Sequence, residues 1–171
     1  MSKFEIAVQG VLKNEGGYSH NDHDMGGATN HGISLRFYKK NIKVDATAED
    51  IKNLTLNQAA DIYEKYFWDR NRYAEINNQQ TANKMLDLAV NVGPATANAF
   101  IQNAVNNTNN KEHLKVDGQI GIITLKAINA VYDAVLYGSL INEAHHYYHE
   151  IAKRGNNHIF LRGWLSRLHS L

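Results

Sequence analysis

The sequence of 171 residues contains no cysteine, only one proline, and almost no excess of charge of either sign. Without cysteine the chain can form no disulfide, no thiolate metal site and no cysteine nucleophile. A formal net charge of +1 lacks the excess of basic residues that is typical of nucleic-acid-binding proteins. No run approaches the roughly 18 consecutive apolar residues of a membrane span, so we expect no membrane insertion. What remains is a globular chain of ordinary single-domain length.

One proline and 12 glycines leave few interruptions, which permits long helices, and apolar residues recur at helical spacing along most of the chain. Ser34 is placed to cap a helix that continues to Lys40, and Thr55 with Gln58 has the spacing of a capping box. The polar stretch 18–33 lacks this period and predicts a loop or small hairpin. The fold class is therefore mainly α, with further helices expected at about 3–14, 80–92, 95–107, 121–137, 139–154 and 157–169.

The most informative segment runs from Glu15 to Ser34. Glu15 ends an amphipathic helix, Gly16 and Gly17 follow it, and the next stretch is rich in aspartate. A carboxyl half-buried against a helix keeps its proton and can act as a general acid, whereas a carboxylate on a solvated loop stays ionised. Two carboxyl groups that face each other across a cleft are the machinery of glycoside hydrolysis. The hydroxyl of Thr29 could hold a water molecule there.

The same residues have simpler explanations. A glutamate at a helix end is most often a solvated surface residue, and glycine pairs usually mark turns. His20 and His23, with the neighbouring aspartates, could bind zinc, but loop polarity explains them more simply, and we predict no metal site. His149-Glu150 begins like a zinc-peptidase motif, yet Lys153 stands where its second histidine should be.

Several motifs in order along the chain resemble glycoside hydrolase family 108, which contains bacterial and phage N-acetylmuramidases of lysozyme type. The resemblance begins with Glu15-Gly16-Gly17-Tyr18 and continues with an Asp-x-Gly-Gly-x-Thr-x-x-Gly-Ile pattern over residues 24–33. It implies a lysozyme-like helical globule with a small β-hairpin near the active-site cleft. The downstream matches are Ile62-Tyr63, Tyr66-Phe67-Trp68, Asp87 to Pro94, Phe100-Ile101-Gln102, Val116-Asp117-Gly118, and Gly163-Trp164 with Arg167.

The resemblance identifies Glu15 as the catalytic glutamate of an enzyme that cleaves the β-1,4 bond between N-acetylmuramic acid and N-acetylglucosamine. Asp24 keeps the family's spacing, nine residues after Glu15, and is the preferred second carboxylate, with Thr29 placing the water. His20-Asn21-Asp22 departs from the family's usual Asn-Asp-Pro, which leaves Asp22 as a rival to Asp24. No cofactor is implied.

Further residues are candidates for contact with the substrate. Amphipathic aromatic side chains stack on sugar faces, which favours Tyr66 and Trp68, although core packing is an equal alternative for both. Asn91 could bind an N-acetyl group or cap a helix. The other candidates lie in the first motif and are Tyr18, Gly27 and His31. The resemblance also implies a catalytic region over 1–88 and a peptidoglycan-binding region over 89–171, packed into one globule.

These features lead to expectations about partners and location. The partner is bacterial peptidoglycan, and the chain is expected to be a monomer that binds no nucleic acid. Residues 1–10 do not form a secretory signal, so we expect synthesis in the cytoplasm and action in the periplasm or cell wall. A holin, a dedicated export system or lysis would then deliver it. Two alternative functions stay open, a non-catalytic peptidoglycan-binding module and a metal-dependent peptidoglycan peptidase.

Overall fold

Most of the chain is helical. The computed structural model describes residues 1–14, 17–19, 27–108 and 113–170. The first α-helices are α1 (Phe4–Asn14), α2 (Leu35–Asn41), α3 (Ala48–Lys52), α4 (Leu56–Tyr63) and α5 (Gln79–Val92). The second half of the chain contains α6 (Pro94–Asn106), α7 (Ile122–Ala130), α8 (Asp133–Ala152) and α9 (Leu161–Leu168). The prediction of a mainly α fold is confirmed. None of the described helices is long and apolar enough to cross a membrane.

Local capping signals start several of these helices where the sequence predicts. The Ser34 hydroxyl accepts a hydrogen bond from the Phe37 amide at 3.2 Å and begins α2. Thr55 and Gln58 form the expected reciprocal capping box of α4, and Pro94 is the first residue of α6. A second capping box, between Thr47 and Asp50, begins α3. No helix was predicted at α3, although this Thr-x-x-Asp pattern is visible in the sequence.

A two-stranded hairpin interrupts the helices, as expected for the 18–33 stretch. Strands β1 (Thr29–Asn30) and β2 (Ile33–Ser34) are antiparallel, with Thr29 opposite Ser34 and Asn30 opposite Ile33. The connecting residues His31 and Gly32 have φ angles of 48° and 75°. A two-residue turn with positive φ at both positions matches the twist of a hairpin, which explains the glycine.

One hydrophobic core joins both halves of the chain. Helix α5 lies at its centre and packs against α1, α6 and α8. Its buried residues surround the helix rather than forming one stripe, as is typical of a helix inside a core. The same cluster includes Phe4 and Val11 of α1 as well as Leu140 of α8. The N-terminal and C-terminal halves are therefore packed directly against each other.

Two helix boundaries were predicted wrongly. The expected helices 121–137 and 139–154 would break near Gly138, but the break lies at Val131 and Tyr132, and α8 continues through Gly138. Val131 has extended backbone angles, which end α7. Leu136, Leu140 and Ala144 form a buried stripe at four-residue spacing, so packing holds the helix across the glycine. The expected helix 157–169 is a 3₁₀ turn, Asn157–Phe160, followed by α9.

A wide helical turn follows α4 directly. Residues Glu64–Trp68 form a π-helix, and a 3₁₀ turn, Asp69–Asn71, comes next. The π-helix buries Phe67 and Trp68 while Tyr66 stays half-buried at the surface. Short π segments are frequent at functional sites. This turn forms part of the groove described next.

Candidate active-site groove

A groove of about 690 Å³ lies between the hairpin and the corner where α5 meets α6. Its lining comes from the hairpin turn and α2, from the π-helix with the 3₁₀ turn after it, from the corner itself and from the turn at Gly118. The lining residues are Gly32, Ile33, Ser34, Arg36, Phe37, Lys40, Asn41, Tyr66, Phe67, Arg70, Asn71, Ala89, Val90, Gly93, Pro94, Ala95 and Gly118.

Buried polar contacts hold the hairpin wall in place. The Asn30 side chain is buried, and its Nδ2 lies 3.1 Å from the carbonyl oxygens of Ile51 and Lys52 and 3.3 Å from that of Leu54. The Tyr63 hydroxyl donates to the carbonyl of His31 at 2.7 Å. These contacts tie the hairpin to α3 and α4. The contact places the His31 carbonyl, rather than its ring, in a defined structural role.

Thr29 lies at the centre of the small sheet. It pairs with Ser34 on one side, and on the other its N–H and C=O exchange hydrogen bonds of 2.8 Å with Ser19. The Thr29 hydroxyl is 3.5 Å from the carbonyl of Gly27, at the long end for a hydrogen bond. Gly27 has a φ of +70°, a conformation that favours glycine. The two ends of the stretch between Ser19 and Thr29 are therefore fixed beside the hairpin.

The aromatic wall contains one of the two predicted sugar-stacking residues. The Tyr66 ring meets the ring of Phe37 edge-on, with centroids 5.8 Å apart, and its hydroxyl donates to the Asn41 carbonyl at 2.8 Å. Tyr66 therefore lines the groove and fastens the last residue of α2. Trp68 is only 2% exposed and packs between Phe4 and Tyr73 in the core. Of the two alternatives for Trp68, the structure places it in the core.

Asn91 lies away from the groove lining. Its Nδ2 donates to the Tyr148 hydroxyl of α8 at 2.6 Å, and the Tyr148 ring stacks on Trp164 of α9. Burial raises the pKa of Tyr148 to about 12. The contact links α5 to the C-terminal half. Asn91 neither caps α5, whose C-terminal cap is Gly93, nor lines the groove.

Two charged residues on the same face of α5 as Asn91 make further contacts with the C-terminal half. Lys84 is fully buried, donates to the Leu168 carbonyl at 2.8 Å and lies 3.5 Å from the Asp87 carboxylate. Arg167 donates to the other oxygen of Asp87 at 3.0 Å. Burial lowers the pKa of Lys84, and the Asp87 charge opposes that shift. We call Lys84, Asp87 and Asn91 with Tyr148 and Arg167 the polar seam.

Sequence reasoning missed the polar seam. It treated Asp87 and Arg167 only as parts of two separate motifs. Arg167 and Asp87 are 80 positions apart, so no local pattern joins them. The available signal is a lysine and an aspartate three apart in the stretch 84–90, whose other residues are all apolar.

The groove itself is basic. Arg36, Lys40 and Arg70 line it and are exposed, and no aspartate or glutamate belongs to the described lining. We call these three residues the basic rim. In a chain with a formal charge of +1, this is a local concentration of positive charge.

Some predicted residues lie outside the described residues. They are the three carboxyl candidates Glu15, Asp22 and Asp24, together with His20 and His23 of the suggested metal cluster. Tyr18, nearby in sequence, is 39% exposed. Among the described residues no group of three or more histidine or carboxylate side chains could hold a metal ion. His145 and His149 form a pair on α8, with ring centroids 4.5 Å apart.

Comparisons with known proteins agree with this architecture. The fold is similar to the solved structure of SagA from Brucella abortus, with a TM-score of 0.81 and 28% sequence identity. The match covers 96% of this chain and 88% of that one. A search of curated proteins finds no significant match.

Two family models match successive parts of the chain. Residues 96–169 match a predicted peptidoglycan domain. Residues 8–93, half of the chain, match the model of glycosyl hydrolase 108. The chain therefore belongs to the glycosyl hydrolase 108 family and is a glycoside hydrolase that acts on peptidoglycan.

Proposed function

We propose that the protein is an N-acetylmuramidase. It hydrolyses the β-1,4 bond between N-acetylmuramic acid and N-acetylglucosamine, with Glu15 as the general acid. Asp24 is the second carboxylate, and Thr29 positions the water molecule. Family membership supports the reaction class, and the basic and aromatic groove supports a polymer of sugars that carries negative charge.

The observation that carries the proposal is the backbone pairing of Ser19 with Thr29. Its two hydrogen bonds of 2.8 Å hold both ends of the stretch that contains Asp24. Thr29 is also paired with Ser34, which lines the groove. Glu15 follows α1 immediately in sequence, and the apolar face of α1 is buried in the core. The described residues that flank the two candidate carboxylates in sequence therefore belong to a packed helix and to the small sheet.

The roles follow from the chemistry of the bond. The glycosidic oxygen must gain a proton as it leaves, which requires a carboxyl group with a raised pKa. The ionised Asp24 stabilises the positive charge that develops on the sugar or activates water on the opposite face. We expect inversion, which requires carboxyl groups about 6.5–9.5 Å apart, rather than the roughly 5–5.5 Å of retaining enzymes. Proton NMR of the first-formed anomer distinguishes the two.

The test of the reaction is digestion of purified peptidoglycan by wild type and by Glu15→Gln. We expect the substitution to lower kcat by roughly 10²–10⁴-fold, the usual contribution of a general acid. Glu5→Gln is the matched control, because Glu5 is an exposed glutamate in the first turn of α1, the helix that precedes Glu15 in sequence. New ends are reduced with borohydride and identified by mass spectrometry. Wild-type activity of Glu15→Gln contradicts the role of Glu15, and ends other than muramic acid contradict the bond assignment.

The second carboxylate is tested by separate Asp24→Asn and Asp22→Asn variants. We expect Asp24→Asn to lose most of the turnover and Asp22→Asn to retain it. The reverse result would assign the role to Asp22.

A chelator added to wild type separates the hydrolase from a metal-dependent peptidase, since the proposed reaction needs no metal and continues in the presence of the chelator.

A further inference from the structure

The basic rim combines residues from two neighbouring elements that line the groove. Arg36 and Lys40 are four residues apart on α2, so they lie on one face of that helix. Arg70 belongs to the 3₁₀ turn after the π-helix, which packs against α2 through the rings of Phe37 and Tyr66. The half-buried ring of Tyr66 lines the groove with them. A ligand in the groove would meet positive charge from both elements.

The described part of the protein does not neutralise these charges. Some other bases of the chain are paired with acids, as Lys43 is with Asp50 at 2.8 Å and Arg72 with Glu75 at 2.7 Å. No described residue forms an ion pair or a hydrogen bond with a side chain of the basic rim. Like charges four apart on a helix cost roughly 0.2–0.5 kcal/mol of stability. The arrangement on α2 therefore disfavours folding slightly and leaves charge free for a ligand.

We propose that the basic rim is a subsite for carboxylates on the side arm of muramic acid. This inference rests on the proposed function. The N-acetylated sugar rings of the glycan are neutral, so negative charge reaches the groove only through that arm. The arm ends in the lactyl carboxylate when it is bare, and it carries peptide carboxylates when a stem peptide is attached. Arginine binds a carboxylate through two parallel hydrogen bonds, which suits Arg36 and Arg70.

The consequence is discrimination between two related polymers. A neutral chito-oligosaccharide can stack on the Tyr66 ring but gives the basic rim no anionic partner. A muramic-acid polymer can stack on Tyr66 and also pair its carboxylates with the basic rim. The subsite therefore favours peptidoglycan over chitin and aligns the muramic-acid ring within the groove.

The experiment compares wild type with Arg36→Gln/Lys40→Gln/Arg70→Gln. The matched control is Lys39→Gln, because Lys39 is an exposed lysine of α2 outside the described groove lining. Three substrates are used: intact peptidoglycan, peptidoglycan whose carboxylates have been coupled to methylamine, and glycan stripped of peptide by an amidase. The readouts are kcat/KM on each substrate and the binding of soluble muropeptide fragments against chitotetraose.

We expect wild type to favour intact over neutralised peptidoglycan by roughly tenfold in kcat/KM, as several exposed ion pairs would give. The ratio should approach one in the triple variant and stay at the wild-type value in Lys39→Gln. An advantage kept on stripped glycan identifies the lactyl carboxylate as the ligand, and an advantage lost there identifies the stem peptide. A wild-type ratio in the triple variant overturns the inference.

Two further measurements keep the outcome decisive. If the triple variant does not fold, the ratio of kcat/KM on intact and neutralised peptidoglycan is measured for wild type at increasing salt concentration. An exposed ionic subsite binds more weakly as ionic strength rises. A preference unchanged between low and high salt would contradict the subsite. If wild type releases no muramic-acid ends, the proposed reaction fails, and the binding of muropeptide against chitotetraose still decides whether the basic rim recognises carboxylates.

Discussion

The polar seam and the basic rim are two charged clusters with opposite surroundings. In the seam the Asp87 carboxylate accepts from Arg167 at 3.0 Å and faces Lys84 at 3.5 Å, and Lys84 is fully buried. In the rim Arg36, Lys40 and Arg70 are exposed and have no acidic partner among the described residues. A buried charge is tolerated only when it is paired, whereas an exposed charge without a partner remains available. The contrast separates residues that hold the fold from residues that can meet substrate.

Helix α5 contributes residues both to the polar seam and to the lining of the groove that contains the basic rim. Asp87 and Asn91 point their polar groups at the C-terminal half, through Arg167 and Tyr148. Ala89 and Val90 of the same helix line the groove. Within one matched motif, the polar residues therefore connect the halves and the small apolar residues shape the site. Presence in a motif alone does not distinguish these roles.

The largest expected effect is the loss of the shared anion of the seam. Asp87→Asn leaves Lys84 buried without a counter-charge, and we expect the free energy of unfolding to fall by about 3–5 kcal/mol. Chemical denaturation measures it, with the exposed Asp61→Asn of α4 as the control. Adding Lys84→Met should recover part of the loss, because the uncompensated cation is then gone. A loss below about 1 kcal/mol would show that the seam does not hold the halves together.

The sequence could predict the elements whose causes are local. The Ser34 cap, the Thr55 capping box and Pro94 at the start of α6 depend on residues within one helical turn, and all three are confirmed. The positions of Trp68 and Asn91 depend on packing against distant residues such as Phe4 and Tyr148. Contacts between residues so far apart in the sequence cannot be predicted from local patterns.

Longer-range effects also decided the helix ends that were predicted wrongly. Gly138 is a weak helix former, but the buried stripe of α8 keeps it helical, and the chain breaks at Tyr132 instead. The groove lining came together from four separate parts of the sequence, and Tyr66 is the one lining residue that was predicted to contact substrate. The roles of Glu15 and Asp24 stay predictions.

The next effect concerns the seam at alkaline pH. Burial raises the pKa of Tyr148 to about 12, above the value of about 10 for an unfolded tyrosine. The folded chain keeps a proton that the unfolded chain loses, so stability falls as pH rises through that interval. Tyr148→Phe should cost about 1 kcal/mol at neutral pH, through the lost contact with Asn91, and make the decline between about pH 10 and 12 shallower.

Unfolding curves across this range measure the effect, and Tyr132→Phe is the control because Tyr132 is 76% exposed. Tyr73 is also buried with a raised pKa, so part of the decline remains in the variant. A slope identical to that of wild type would contradict the assignment to Tyr148. The basic rim has no corresponding buried group, so substitutions there should leave the alkaline slope unchanged.

The smallest expected effect lies in the groove wall. Tyr66→Phe removes the 2.8 Å hydrogen bond to the Asn41 carbonyl, which fastens the end of the helix that carries Arg36 and Lys40. We expect a loss of about 0.5–1.5 kcal/mol of stability and a KM for peptidoglycan raised a few-fold, with kcat nearly unchanged. Tyr38→Phe on α2 is the control, since Tyr38 is outside the described groove lining. A fall in kcat equal to the fall in kcat/KM would place Tyr66 in the chemical step, and equal kinetics for both variants would show that the wall needs no such anchor.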